Sequence, residues 1–280
     1  VSQNKPTILQ SSSQKFIKSF KAHYLGGFIL DKNQRYTALL DILKRRKVIS
    51  VQELATLTYS SKSTLRRDLI ALEKQNRLIR EYGHVKLVEA KNVEYSYVAR
   101  QQEYQSEKQK IAVIATRLIN HNMTLFLDSS STVYELIPLL ENKRNLTVVT
   151  NGIFNAERLD KLKDVHTFLA GGRLYAGTGS VLGEYAINYL NHFKVDLTIM
   201  SCSAIDEFGI YMSDPQQASL KRKMMRIAKK TILLCDSSKF DHSNYFKLSN
   251  LSDISTVITD KEPGMALKEA LIDADTQLLF

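Results

Sequence analysis

Between Gln34 and about Lys47 the apolar positions Tyr36, Leu39, Leu40 and Leu43 recur at helical spacing, which predicts one buried helix face. After a break, Ser50-Val-Gln-Glu53 has the Ser-x-x-Glu form of a capping box, in which each side chain satisfies an exposed amide of a new helix. That helix should be short, from Val51 to about Leu57. Thr58-Tyr-Ser-Ser61 supplies a turn and a second cap, and a third helix follows from Lys62 to about Gln75 with Leu65, Leu69 and Leu72 facing inward. Leu78 to Val88, with Gly83 near its middle, reads as a small hairpin. Two short helices across a tight turn, the second one basic, make a helix-turn-helix, and the hairpin makes its wing.

From Glu107 the pattern changes. A helix to about Asn120 precedes the apolar run Thr124–Leu127, a helix near Val133–Leu140 precedes Leu146–Thr150, and another near Phe154–Leu162 precedes Val165–Leu169. Later runs are Leu197–Met200, Thr231–Leu234, Thr256–Ile258 and Gln277–Phe280, with Gln216–Lys230 the clearest helix between them. Strands alternating with helices predict a parallel, doubly wound α/β sheet, whose ligands bind beyond the C-terminal strand ends. Residues 91–106 are polar and read as a linker. Residues 1–32 show no sustained period and are expected to form a disordered arm. The chain opens on Val1 and its first methionine is Met123, which an alternative start or upstream processing would each explain. The expected plan is therefore an arm (1–32), a winged helix-turn-helix (33–90), a linker (91–106) and an α/β domain (107–280).

Composition changes this picture only where it is located. Of the formal net charge of +10, residues 1–32 carry +4, residues 33–90 carry +6, and residues 91–280 sum to zero. Basic charge confined to one compact segment suits a polyanion-binding module. In the third helix, Lys62, Ser63, Arg66 and Arg67 lie in the N-terminal turns, on or beside the outward face. There Arg can make a two-pronged bond to guanine, and the Ser63 and Thr64 hydroxyls suit a phosphate or a base edge. The plainer reading is a solvated surface helix with Asp68 as a local ion pair.

No apolar run approaches the ~20 residues of a membrane span, so no membrane partner is expected. Cys202 and Cys235 lie inside apolar runs and read as buried thiols rather than a disulfide or zinc site, which points to a reducing, cytoplasmic setting. The six histidines have no metal-ligand spacing, and no Walker or dinucleotide fingerprint occurs. No cofactor, metal or catalytic residue is assigned.

Polar residues follow the predicted strands. Asp128, Ser129, Ser130, Ser131 and Thr132 lead into a helix, where hydroxyls and free amides form an anion cradle, or an ordinary cap. Thr150 and Asn151, then Gly171, Gly172 and Arg173, then Asp236 and Lys239 follow later strands. Together they favour a small phosphorylated or polyhydroxy ligand. The run Lys221–Arg226 reads as a solvated helix with one inward lysine.

These motifs resemble the DeoR family of bacterial transcription regulators over about residues 33–262. The front half is similar through Arg35-x-x-x-Leu39, Glu53-Leu-Ala55, Ser63-Thr-Leu-Arg-Arg-Asp-Leu69 and Leu72-Glu73. The back half is similar through Asp128-Ser-Ser-Ser-Thr132, Thr150-Asn151, Gly171-Gly172, Gly183 and Asp236-Ser-Ser-Lys-Phe240. The resemblance implies operator DNA as partner and a Rossmann-like sensor domain similar to sugar-phosphate isomerases. It also implies a phosphorylated-sugar effector, repression of a sugar-uptake or catabolic operon, and a homo-oligomer. It brings Arg35, Arg80 and His84 to the DNA-binding set, and Lys221 to the effector set of Asp128–Thr132, Thr150, Asn151, Gly171–Arg173, Asp236 and Lys239. Three departures stand out: the wing reads Gly83-His84-Val85 rather than Gly-Gly-Ala, Ser130 stands where many members carry Gly, and Gln217 replaces an acidic residue before Lys221. The last makes isomerase-type catalysis a weaker expectation. The rival reading is a sugar-phosphate isomerase or deaminase carrying a basic adaptor; RNA binding is weaker still, for want of an aromatic stacking sheet.

Overall fold

The computed structural model describes residues 32–88 and 96–280. Nearly all of the expected arm (1–31) and the first part of the expected linker (91–95) lie outside the described residues. The chain divides into two compact units, with the boundary after Glu89.

The first unit runs α1 (Lys32–Arg46), β1 (Val48–Ser50), α2 (Val51–Thr58), α3 (Lys62–Lys74), β2 (Leu78–Glu81) and β3 (His84–Leu87). Tyr36, Leu39, Leu40, Leu43, Leu65, Leu69 and Leu72, the positions picked by periodicity, are all in its core, joined by Ile42, Leu54, Leu78 and Val85. Ser50 Oγ accepts the Glu53 amide at 3.1 Å, and Ser61 Oγ accepts the Thr64 amide at 3.2 Å. Only that half of the expected capping box forms, because the Glu53 carboxylate turns to Arg46 at 3.4 Å. The hairpin turns at Tyr82 and Gly83, both at positive φ (47° and 78°), as a tight two-residue loop demands. β1, expected only as a break, pairs with β3 to give a three-stranded sheet in the order β1-β3-β2.

The second unit opens with α4 (Tyr97–Gln102) and α5 (Gln105–Thr116). Residues 96–106 therefore belong to this folded unit rather than to a linker: Tyr97 is buried, its ring stacked 4.3 Å from that of Phe154. Beyond them come β4 (Thr124–Leu127), α6 (Ser131–Tyr134), β5 (Leu146–Thr150), α7 (Ile153–Leu159), β6 (Val165–Leu169), β7 (Arg173–Tyr175), β8 (Ser180–Leu182), α8 (Glu184–Tyr189) and β9 (Val195–Ser201). The chain finishes with β10 (Ala204–Asp206), β11 (Gly209–Met212), α9 (Pro215–Ile227), β12 (Ala228–Leu234), β13 (Phe246–Ser249), β14 (Thr256–Ile258), α10 (Met265–Asp273) and β15 (Gln277–Leu279).

Seven strands form a sheet in the order β15-β14-β12-β9-β4-β5-β6, and every pairing in it is parallel. Apolar clusters cover both faces, one around Ile111, Leu125, Leu136 and Ile199, the other around Phe126, Met200, Leu220 and Leu233. Because β5 and β6 are added on one side of β4 and β9, β12, β14 and β15 on the other, the winding reverses between β4 and β9. Such a reversal marks the crevice position of a doubly wound sheet, at the carboxyl ends of those two strands, where ligands of such folds bind.

Three expectations change. The helix near 133–140 is one turn of α-helix and then a 3₁₀ turn at Ile137–Leu140, where Pro138 removes an amide. The hairpin β7–β8 and the antiparallel sheet β10-β11-β13 were not expected. Helix α9 ends at Ile227, and the residues up to Lys230 already belong to β12. Cys202 and Cys235 are buried free thiols, with Sγ atoms 3.7 Å apart. Among the described residues no helix is long and apolar enough to cross a membrane, and no cluster of His, Cys, Asp or Glu is placed to hold a metal ion.

Candidate functional site

In the first unit, Ser61 caps α3 and leaves its opening turns facing solvent. Lys62, Ser63, Arg66 and Arg67 are exposed there, while Thr64 is half-buried and receives a bond from Ser61 Oγ at 2.9 Å. This is the end of a recognition helix that approaches base edges. The structure places the other expected DNA-contact residues differently. The Arg35 guanidinium grips Asp68 through Nε (2.8 Å) and Nη2 (3.1 Å), pinning α1 to α3, so its charge is engaged within the fold. Asp68 is therefore the partner of Arg35, not the local ion pair of Arg66 or Arg67. Arg80 likewise holds Glu73 with Nε at 2.9 Å and with its backbone amide at 3.1 Å, tying the wing to α3. That hydrogen bonding keeps the Glu73 carboxyl below its usual pKa. His84 is exposed on the wing, its Nδ1 at 3.2 Å from the Tyr82 carbonyl.

In the second unit, the β4–β9 crevice holds a buried polar network. Asp128 follows β4 directly. Its Oδ2 accepts the amide of Ser201, the last residue of β9, at 3.0 Å and also meets the Lys221 ammonium. Its Oδ1 accepts the amide and hydroxyl of Ser130. Lys221 donates further to the Ser201 carbonyl at 2.8 Å. Lys239 reaches the Ser201 hydroxyl at 3.0 Å and Asp236 at 3.2 Å. Asn151, after β5, accepts the Ser129 amide at 3.1 Å, and Thr150 Oγ1 accepts the Gly152 amide at 3.1 Å to close that turn. Ser129 Oγ lies 2.7 Å from Ser180 Oγ, which also accepts from Gln217 at 3.0 Å. Thr132 Oγ1 accepts from Ser201 Oγ at 3.5 Å.

Three ammonium groups converge on this region, because Lys108 Nζ donates to Ser131 Oγ at 3.1 Å. Two carboxylates, Asp128 and Asp236, partly balance them. Burial works against ionisation of Asp128, yet the Lys221 charge and hydrogen bonds from Lys221, Ser130 and Ser201 hold its carboxyl below the usual range. Burial likewise opposes Asp236, which Lys239 holds low, and Asp236 in turn raises Lys239 against the same penalty. Lys108 goes the other way: burial first, then the Lys239 charge, push it down to about 8. With α6 only one turn long, the positive charge here comes from the lysines rather than from a helix dipole. The loop hydroxyls of Ser129, Ser130, Ser131 and Thr132 all bond to protein groups.

The network thus unites Asp128, Ser129, Ser130, Ser131, Thr132, Asn151, Lys221, Asp236 and Lys239 from four separate stretches. Gly171, Gly172 and Arg173 are not buried in it; they line an exposed depression of ≈ 560 Å³ with Tyr185 and Tyr189. Sequence reasoning missed Lys108, Asn155, Ser180 and Ser201 as site residues. Lys108 carried a signal, since it shares the buried stripe of α5 with Ile111, Ala112 and Ala115. Asn155, whose amide donates to the Asp128 carbonyl at 2.5 Å, and the two serines carried none.

A winged helix-turn-helix joined to a doubly wound domain with a buried polar site defines a DNA-binding regulator that carries its own sensor domain. The DeoR C-terminal sensor domain matches residues 103–261, and the DeoR-like helix-turn-helix domain matches residues 35–91. The chain belongs to the DeoR family of transcription regulators. It is 33% identical to the HTH-type transcriptional repressor GlcR of Bacillus subtilis, over 89% of this chain and 96% of that one. It is 29% identical to the glycerol-3-phosphate regulon repressor of Escherichia coli, over 89% and 99%. Among solved structures it is similar to ribose 5 phosphate isomerase A from Neisseria gonorrhoeae, at 14% identity over 48% of this chain and 52% of that one, with a TM-score of 0.36.

Proposed function

We propose that the chain represses a sugar-uptake or catabolic operon and that a phosphorylated sugar, bound in the β4–β9 crevice, sets its affinity for operator DNA. The observation that carries this reading is the convergence of Lys108, Lys221 and Lys239 on the Asp128–Thr132 loop. Buried cations beside donor hydroxyls suit a phosphate ester. The names of the two repressors described above support the regulatory half. Arg66, Arg67, Lys62 and Ser63 contact the operator, and a homo-oligomer presents two such helices to symmetric half-sites. The phosphate sits at the 128–132 loop, with Asn151, Asp236 and Lys239 positioned for hydroxyls or charge balance. The protein is a sensor rather than an enzyme: the Asp128 carboxylate, the obvious proton acceptor in the crevice, is already held by Lys221, Ser130 and Ser201. The ligand acts by preferring one state of the protein, with a typical coupling of ~1–3 kcal/mol.

Fluorescence anisotropy on DNA from upstream of the chain's own gene, repeated across a panel of sugar phosphates, tests this. A shift of operator affinity by at least one panel member is expected. Failure to bind that DNA, or turnover of a sugar phosphate without any change in binding, would replace regulation with the enzyme reading.

A further inference from the structure

The six-residue α4 is the first described element after the stretch that leads, in sequence, from the helix-turn-helix unit. A helix so short has no stability of its own, and only its tertiary contacts hold it. Those contacts lead to the anion site by two routes. In the first, Lys108 Nζ donates both to the Arg100 carbonyl of α4 and to Ser131 Oγ in the 128–132 loop, and Ser131 Oγ itself donates to that carbonyl at 3.1 Å. In the second, the Tyr97 amide donates to the Gly177 carbonyl at 2.7 Å and Arg100 Nη2 to the Thr178 carbonyl at 3.1 Å. Two residues on, Ser180 is bonded to Ser129 and Gln217 inside the network. The Tyr97 ring is buried, stacked on Phe154 and edge-on to Tyr134 of α6 at 5.9 Å.

We infer that α4 is the element that reports effector binding, and that Lys108 is the positioning residue that holds or frees it. This rests on the effector reading above. Lys108 has two kinds of partner within reach, a neutral carbonyl on α4 and whatever anion enters the loop. An ammonium bonds an anion more strongly than a neutral carbonyl, so a phosphate at the loop draws Lys108, and Ser131 with it, away from Arg100. The Arg100 carbonyl then loses the Lys108 and Ser131 donors at once, and the short helix loses one of its two anchoring routes. The result is one element with a docked and a released state, which ligand binding biases. The charged groups that face Lys108 are Lys239 and Asp236 after β12, and Arg100 and Glu103 at the end of α4. Lys239 and Asp236 stay with the sheet when the ammonium moves, whereas Arg100 and Glu103 leave with α4.

Hydrogen exchange on the full chain tests this, with wild type and Lys108→Met each measured alone, with inorganic phosphate, and with glucose 6-phosphate, fructose 1-phosphate and glycerol 3-phosphate in turn. In wild type, a bound anion should protect the 128–132 loop and speed exchange of the 97–104 amides by about ten-fold, as local release of a docked element does. Lys108→Met should show that faster exchange without any anion and no further rise with one, while β4, β9 and β12 stay protected. Should that variant fail to fold, Ser131→Ala removes the second donor and should give a smaller rise of the same kind. An anion that protects the loop but leaves residues 97–104 unchanged overturns the inference and spares the effector reading. If no anion alters the loop in wild type, the effector reading falls and the inference falls with it.

Discussion

Lys221 on α9 and Asp128 at the end of β4, 93 positions apart in the chain, form an ion pair almost wholly shut off from solvent, their side chains 4% and 1% exposed. Lys221 occupies a core position of α9, in line with Gln217, Leu220 and Met224. Breaking one side of such a pair leaves the other charge buried without its partner. Lys221→Met is therefore expected to destabilise the second unit by ~3–5 kcal/mol, and the Asp128→Asn/Lys221→Met double variant by much less. Urea unfolding followed by circular dichroism measures both. A Lys221→Met chain as stable as wild type would mean that Ser130 and Ser201 alone satisfy the carboxylate.

Arg35 and Asp68 play the corresponding part in the first unit, where a two-pronged bond joins α1 to α3. Arg35→Ala should lower the stability of that unit by ~1.5–3 kcal/mol, the range for hydrogen bonds to charged groups. Arg35→Lys should recover little, because an ammonium cannot make the paired contact. Thermal melting of the full chain reads the loss. An Arg35→Ala variant that melts like wild type yet binds operator weakly would return Arg35 to direct DNA contact.

Arg66→Ala should do the reverse. The side chain is exposed at the start of α3, so stability should change by less than ~0.5 kcal/mol. Operator binding should weaken, and if Arg66 reads a base, ~1–3 kcal/mol of discrimination should go with it. Anisotropy against matched and scrambled duplexes separates the two effects. Unchanged affinity for both would remove α3 from the interface.

Much of this was visible in the sequence because it is local. Leu65, Leu69 and Leu72 announce α3 through spacing alone, and Ser50 and Ser61 mark the helix starts through short-range caps. Four strands of the large sheet appear as apolar runs with the expected bounds: Thr124–Leu127, Leu146–Thr150, Val165–Leu169 and Thr256–Ile258. The rest depends on distance. A run of apolar residues does not state its neighbour, so the reversal between β4 and β9, which brings Ser201 to Asp128, is invisible until the sheet is assembled. The resemblance brings Arg35 and Arg80 to the DNA-binding set, but nothing local announces their ion-pair partners Asp68 and Glu73, which lie 33 and 7 positions away. β1 is too short, at 3 residues, to show alternation. Lys108 was the one legible omission, a charged side chain on an apolar stripe that has to find a polar site inside the domain.

That lysine also makes a pH prediction. Burial and the neighbouring Lys239 charge push Lys108 down to about 8, while a lysine in the unfolded chain titrates near ~10.4. Between those values the unfolded chain binds the additional proton, so this group makes stability rise with pH; below about 8 both states are protonated and the dependence vanishes. Lys108→Met has no such proton. The stability of wild type relative to the variant should therefore move in favour of wild type between about pH 7 and pH 9.5, as other titrating groups cancel in the difference. Effector response should run oppositely: an anion needs the ammonium form, so the ligand-driven shift in operator affinity should fade above about pH 8 in wild type. Paired urea titrations at the two pH values, with anisotropy in the same buffers, measure both trends. A stability difference that stays constant across that window would mean that Lys108 keeps its proton in the folded protein, and the predicted fading of the response would then have to come from another group.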